Sequence, residues 1–244
     1  MKDVKRKPRG KDLSLFFESW GGGLIWREDS TVAEELEEHF GPEKGRSALA
    51  ALVERVGHVQ PARFIGEGAM GVALGLPSGL VLKLTVDESE IQAAIALKGR
   101  GLDSFPNFMD AFALVDRRSI EDINDETIAA RALGVVLKEF VSGEEPTRDD
   151  PLYALLDEVQ VEVAERDTTV RGMRQFIETL AKRGAPLGRK EDLRMFIRDL
   201  EALRSMGLHT IDFVGNMVMV EGRPQMFELS VEADSPKAYD VVWF

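Results

Sequence analysis

With 244 residues, 44% of them hydrophobic, a formal charge of -12 and a pI near 4.9, the chain can bury a sizeable core and is a poor match to nucleic acid. Phosphate binding on that scale calls for surplus Lys and Arg. The basic start, MKDVKRKPRGK, lacks an apolar segment and no long apolar run follows, so neither a secretory signal nor a membrane span is read, and a cytoplasmic protein is expected. The absence of cysteine removes disulfides, thiolate nucleophiles and zinc-thiolate sites, while His39, His58 and His209 are too scattered for a histidine metal cluster, leaving oxygen ligands for any metal.

The first dozen residues read as a solvated basic tail to which no role is assigned. DSTVAEELEEHFG has Ser30 or Thr31 as a cap, early acidic residues and Gly41 as a stop, which predicts a short acidic helix. GRSALAALVERVG predicts a second helix, with a stripe through Leu49, Leu52, Val53 and Val56. From Phe64 the texture changes. RFIGEGAMGVALGLPSGLVLKLTV alternates apolar runs with glycine turns and predicts a three-stranded meander, LPSGL being a compact hairpin. DESEIQAAIALKGRG predicts a helix, with Asp87 and Glu90 in a capping pattern. FPNFMDAFALVD and ALGVVLKEFVSG predict two more strands, separated by a polar insertion at 118–131. Beyond the connector GEEPTRDDP the pattern turns helical: Asp150 caps a helix that opens on Pro151, and two further helices end at Gly184 and Gly207. A polar loop, LHTIDFVGN, then leads to a hairpin read as MVMV, turn EGRP, and QMFEL.

Three features carry candidate chemistry. GEGAMG puts Gly66, Gly68 and Gly71 between two strands, a setting in which backbone N–H groups approach phosphate oxygens, although a ligand-free tight turn is the commoner use of such a pattern. Lys83 ends the strand run LVLK, and alternation places it on the same face as Val81. Glu90 lies on the first turns of the following helix, as a carboxylate partner for that lysine.

This ordered run resembles the protein-kinase-like superfamily, as a divergent, minimal member similar to eukaryotic-type serine/threonine kinases, from about Arg63 to Ser230. The resemblance implies an α+β, bilobal fold. Residues 1–59 would form a tail and two helices, 60–143 a lobe with a five-stranded antiparallel sheet and one helix, and 144–244 a reduced, mainly helical lobe. GEGAMG is similar to the glycine-rich loop, LVLK to the V-A-I-K strand with Lys83 as the phosphate lysine, and Glu90 to its helix partner, with Glu88 as the fallback because the spacing is short. LKEFVSGE resembles the hinge, which implies that the backbone of Glu139 and Val141 meets adenine, with Val81 and Val218 on the two faces of the ring. Lys138 stands where the family usually has an apolar residue, and a buried ammonium there needs a partner or an exit to water.

Set against H-R-D-x-x-x-x-N and D-F-G, His209 and Asn216 keep the family separation but Ile211 falls at the aspartate position. One deletion makes Asp212 the catalytic carboxylate and Asn216 a magnesium ligand, and Glu228, Leu229 and Ser230 replace D-F-G with Glu228 as the second ligand. A solvated connection with His209 and Asp212 bonding locally is the plainer reading of the loop. No A-P-E sequence follows, so the usual platform for a peptide substrate is missing or supplied by the N-terminal helices, the insertion or a partner. The resemblance thus implies an ATP- and Mg²⁺-dependent phosphotransferase that binds nucleotide and acts on protein Ser or Thr hydroxyls, its own included, or on a small molecule. The alternatives are a pseudokinase that binds nucleotide or recruits a protein partner, and a kinase-fold enzyme that transfers AMP. Oligomeric state is left open.

Overall fold

The computed structural model describes residues 12–13, 18–20, 23–25, 31–56, 62–68, 70–76, 78–117, 132–164, 170–210, 212–229, 231–233 and 240–244. Residues 1–11, the 118–131 insertion, His58, Ile211 and Ser230 lie outside them. The described residues form two compact units, one containing those before Gly99, Phe108–Phe140 and the last strand, the other containing Gly99–Asn107 and the stretch from Val141 onward to Ala233. The class is α+β: among the described residues the first unit holds the main sheet and three helices, the expected five antiparallel strands and their one helix together with the two N-terminal helices, and the second unit is mainly helical.

The first unit is a sheet coated on both faces. Its strands are β1 (Asp12–Leu13), β4 (Ala62–Gly68), β5 (Gly71–Gly75), β6 (Leu80–Thr85), β7 (Phe108–Val115), β8 (Leu133–Glu139) and β13 (Val241–Trp243), in the order β1-β4-β5-β6-β8-β7-β13. A separate hairpin pairs β2 (Glu18–Trp20) with β3 (Gly23–Ile25). The expected five strands are joined by one more at each edge, and β13 runs parallel to β7, so the sheet is mixed rather than purely antiparallel. These edge strands contain two and three residues, too short to show a period of their own.

Helices α1 (Thr31–Phe40) and α2 (Pro42–Val56) cover one face. Leu36, Leu49, Leu52 and Val53 pack there with Val72, Leu74, Leu82, Leu84, Phe112, Leu114, Leu133 and Val135, the alternate residues of β5, β6, β7 and β8. Gly41, at φ 85, stops α1, and Pro42 opens α2 where its missing N–H costs nothing. Helix α3 (Glu88–Leu97) contacts β6, β7 and β8. Asp87 caps it by accepting from the Ser89 N–H at 2.9 Å. Burial on both faces explains why β6 and β8 read as continuous apolar runs instead of alternating.

The second unit contains α4 (Pro151–Ala164), α5 (Val170–Arg183) and α6 (Lys190–Ser205), then β9 (Leu208–His209), β10 (Met217–Val220), β11 (Arg223–Met226) and β12 (Glu232–Ala233). Asp150 caps α4 through the Leu152 and Tyr153 N–H groups at 2.9 and 3.1 Å. β10 and β11 form the expected hairpin, but its turn is Glu221-Gly222 alone, with φ of 50 and 79, and Arg223 and Pro224 belong to the strand. Two consecutive positive φ values give the turn a twist that matches paired strands, which a four-residue EGRP turn would not require.

Candidate functional site

In the sheet unit the glycine segment is a hairpin tip. Gly66 pairs with Ala73 and Gly68 with Gly71. The tip is latched to the end of β6, where the Thr85 hydroxyl donates to the Met70 carbonyl at 3.1 Å and the Val86 N–H donates to it at 2.9 Å. A Cβ on Gly71, at φ 151, would lie 1.9 Å from the Leu84 carbonyl oxygen, so glycine is needed there for strand packing alone. For Gly66 and Gly68, phosphate approach is the expectation of the sequence alone.

Lys83 faces Ala73 on one neighbouring strand and Val136 on the other, while Val81 faces Lys138. These side chains share the face opposite α1 and α2, where α3 delivers Glu90. The Lys83 ammonium stands 2.6 Å from Glu90 Oε2, with side chains 9% and 1% exposed. It is a charge contact rather than an aligned hydrogen bond, because Oε2 meets no donor at hydrogen-bonding angles. Lys138 Nζ donates to the other oxygen, Oε1, at 3.2 Å. One buried carboxylate therefore holds two ammoniums. Lys138 has the partner that its burial demands. Glu88, the fallback, is exposed and lies on the outer side of the helix start. Glu90 does not close the capping box with Asp87; its carboxylate goes to the lysines, and Asp87 alone caps the helix.

Close helix approach makes this pairing possible. A Cβ on Gly134 of β8 would sit 2.2 Å from Ile91 Cδ1, so the missing side chain at Gly134 leaves room for the residue after Glu90. Glu139 is exposed at the end of β8, opposite Leu80. The adjoining Phe140 N–H donates to the Gly79 carbonyl at 3.0 Å.

In the helical unit Val141 is half-buried, and the strand-like segment after it pairs with β10 through Glu144 and Met219 at 2.9 Å in both directions. A Cβ on Gly143 would meet the Met219 carbonyl at 2.6 Å and Val218 Cβ at 3.0 Å, which brings Val218 against the segment expected to act as a hinge. The polar loop follows β9. His209 is buried and stands opposite Glu232 in the β9–β12 pair. The Asp212 N–H donates to Thr210 Oγ1 at 3.2 Å, and Asn216 Nδ2 donates to Asp212 Oδ2 at 3.4 Å. Asn216 also accepts from the Phe227 N–H at 2.9 Å through its backbone carbonyl, which places Glu228 one residue from that contact. The structure thus gathers Asp212, Asn216 and the chain at Glu228 in one unit. The side-chain oxygens of Asp212, Glu228 and Asn216 are hard donors of the kind Mg²⁺ takes. Among the described residues no group of three His, Cys, Asp or Glu side chains converges as a metal cluster.

No family model matches the sequence, and no curated protein sequence matches it. Among solved structures, the ternary complex of streptomycin, ATP and APH(2")-IIa is similar to this chain at 11% identity, covering 82% of this chain and 71% of that one, with a TM-score of 0.31. That score is too low to carry a fold or an activity across.

Two contributors escaped the sequence reading. Gln160, within the apolar stripe of α4, accepts from the N–H groups of Phe213 and Val214 at 2.9 and 3.0 Å. Phe213 is fully buried, stacked on Phe176 at 5.1 Å and edge-on to Phe196 at 5.8 Å. The signal for the ring was present in the sequence, since an aromatic inside a polar loop, IDFVGN, is out of place unless it is an anchor. Nothing in the sequence pointed to the glutamine.

Proposed function

We propose that this chain is an ATP- and Mg²⁺-dependent phosphotransferase of minimal, kinase-like design. The observation that carries the reading is the buried Lys83–Glu90 ion pair, formed at 2.6 Å between the strand after a glycine hairpin and the helix that follows it. A buried carboxylate holds the lysine in place, ready for a phosphate oxygen that adds negative charge as transfer proceeds. Asp212 receives or orients the proton of the acceptor hydroxyl, whose oxygen forms the new bond to the γ-phosphorus as the bond to the β–γ bridging oxygen breaks and ADP leaves. Asn216 and Glu228 would hold Mg²⁺, which when bound neutralises phosphate charge. The backbone of Glu139 and Val141 is assigned to the edge of adenine, and Val81 and Val218 to the two faces of the ring. The acceptor is a protein Ser or Thr hydroxyl, that of the chain itself included.

A second reading, a pseudokinase that binds nucleotide or a partner without transfer, is favoured by one contact: the Asn216 amide occupies Asp212 Oδ2 at 3.4 Å, a use of both groups that needs no ligand. Thermal shift with nucleotide, with and without Mg²⁺, followed by radiolabel transfer, separates the two. Wild type is expected to be stabilised by ATP with Mg²⁺ and to transfer label, and Lys83→Ala, Asp212→Asn and Glu228→Ala to lose transfer by roughly 10²-fold or more. Magnesium-independent binding that survives all three substitutions, with no label moved, would sink the enzyme reading and leave the pseudokinase.

A further inference from the structure

A loop carboxylate has a defined direction only if the backbone beneath it is tied down. Asp212 belongs to a short connection between β9 and the single turn Val214–Asn216, and such a turn begins with N–H groups that have no partner within it. Two of these, on Phe213 and Val214, converge on one acceptor from another element, Gln160 Oε1. An amide oxygen has two lone pairs, and both are used.

The position of Gln160 sharpens the point. Leu152, Leu156, Val159 and Val163 form the buried stripe of α4, and a residue beside Val159 and one turn after Leu156 would fill that space more simply as leucine. A half-buried amide that spends its oxygen on two consecutive loop N–H groups satisfies donors that packing cannot satisfy. The buried ring of Phe213, stacked on Phe176 and edge-on to Phe196, holds the same residue through its side chain. Phe213 is thereby fixed through backbone and side chain together. Asp212 is its covalent neighbour, with its own N–H on Thr210 and its carboxylate on Asn216.

We propose that Gln160 is a positioning residue for Asp212: it sets the backbone from which the Asp212 carboxylate projects, without contributing to the reaction itself. The role of Asp212 in transfer rests on the function proposed above; the fixing of the loop by Gln160 does not. The two are tested by different readouts on the full chain. Amide hydrogen exchange followed by NMR reports the loop, and radiolabel transfer at varied ATP reports catalysis. Gln160→Met keeps the length and removes the acceptor, whereas Gln160→Glu keeps an oxygen able to take both N–H groups.

In Gln160→Met the Phe213 and Val214 amides are expected to exchange at least about 10-fold faster while the amides of α4 keep their protection, and the melting midpoint should fall by no more than about 10 °C, the cost of leaving those two donors unsatisfied. Transfer should lose roughly 10²-fold in kcat with KM for ATP within about twofold, as a small misplacement of a reacting group does. Gln160→Glu should restore both. Unchanged exchange in Gln160→Met, failure of Gln160→Glu to restore protection, or loss of protection throughout α4 would each overturn the proposal, the last by showing a merely structural role. If wild type transfers no phosphate, the functional reading fails, and the exchange data still decide whether Gln160 fixes the turn.

Discussion

Removing Glu90 should damage the protein far more than removing Lys138, although the two form one cluster. Glu90 is fully buried and stands 2.6 Å from the Lys83 ammonium and 3.2 Å from that of Lys138. At an effective dielectric near 20 those separations correspond to gross attractions of about 6 and about 5 kcal/mol, most of which offsets the desolvation of the three groups. Glu90→Leu forfeits both attractions and leaves two desolvated ammoniums without this carboxylate, so a loss of about 3–5 kcal/mol is expected. For a chain of this size that lowers Tm by roughly 6–20 °C. Lys138→Met keeps the shorter contact and relieves one desolvation, so its stability should stay within about 1 kcal/mol of wild type. The combined Lys83→Met, Glu90→Leu, Lys138→Met chain replaces the whole cluster by apolar side chains and should regain most of what Glu90→Leu loses, while binding no nucleotide. Urea melts of the four chains measure this. A Lys138→Met loss as large as that of Glu90→Leu, or a triple variant less stable than Glu90→Leu, would refute the reasoning, because the cluster would then be a net source of stability rather than a requirement of the site.

Gly71→Ala should cost about 2–5 kcal/mol, from a Cβ placed on the Leu84 carbonyl and a backbone at φ 151, whereas Gly79→Ala, at φ 81 with open space around it, should cost about 1–2 kcal/mol; denaturant midpoints compare them, and loss of activity in Gly71→Ala would be read as packing damage. Asp110 gives the acid limb of stability. Burial alone would raise its pKa, but the hydrogen bonds from Lys98 and Arg55, at 2.5 and 3.0 Å, and their charges outweigh burial and lower it below its ordinary value of 3.8. Its stabilisation is therefore present above that value and lost as pH falls through the lowered one, so the gap between wild type and Asp110→Asn in urea melts should narrow below about pH 4.

Much of the element order was legible because its signals are local. Glycine turns, the Asp87 and Asp150 caps and the helix stops at Gly41, Gly184 and Gly207 each act within a few residues. The lysine and its carboxylate partner were legible from the order of glycine turn, strand and helix, whereas the short spacing left Glu88 as a fallback that the 2.6 Å contact of Glu90 with Lys83 displaces. What stayed hidden depends on partners distant in the chain. Val241–Trp243 has no meaning until it lies beside Ala113–Val115, and Lys138 looked like an anomaly until Glu90 was seen to hold two ammoniums. Gln160 reaches donors 53 and 54 residues away, and no periodicity encodes such a contact. The turn at Glu221-Gly222 was misjudged for a different reason: Pro224 looked like part of a turn but occupies a strand of a two-stranded sheet, where a missing N–H is tolerated.

The helical coat over the sheet bears on modularity. Leu74, Leu82, Leu84, Phe112 and Leu114 are buried with the help of α1 and α2. A chain shortened to begin after Val56 would present that surface to water as a broad oily face and would self-associate before its glycine hairpin or its lysine could be assayed. The residues ahead of the glycine segment, which carry no candidate chemistry, are thus part of the smallest unit in which that chemistry can be studied. Deletion mapping of this chain would report inactivity for every fragment lacking them, whatever Lys83 and Glu90 do.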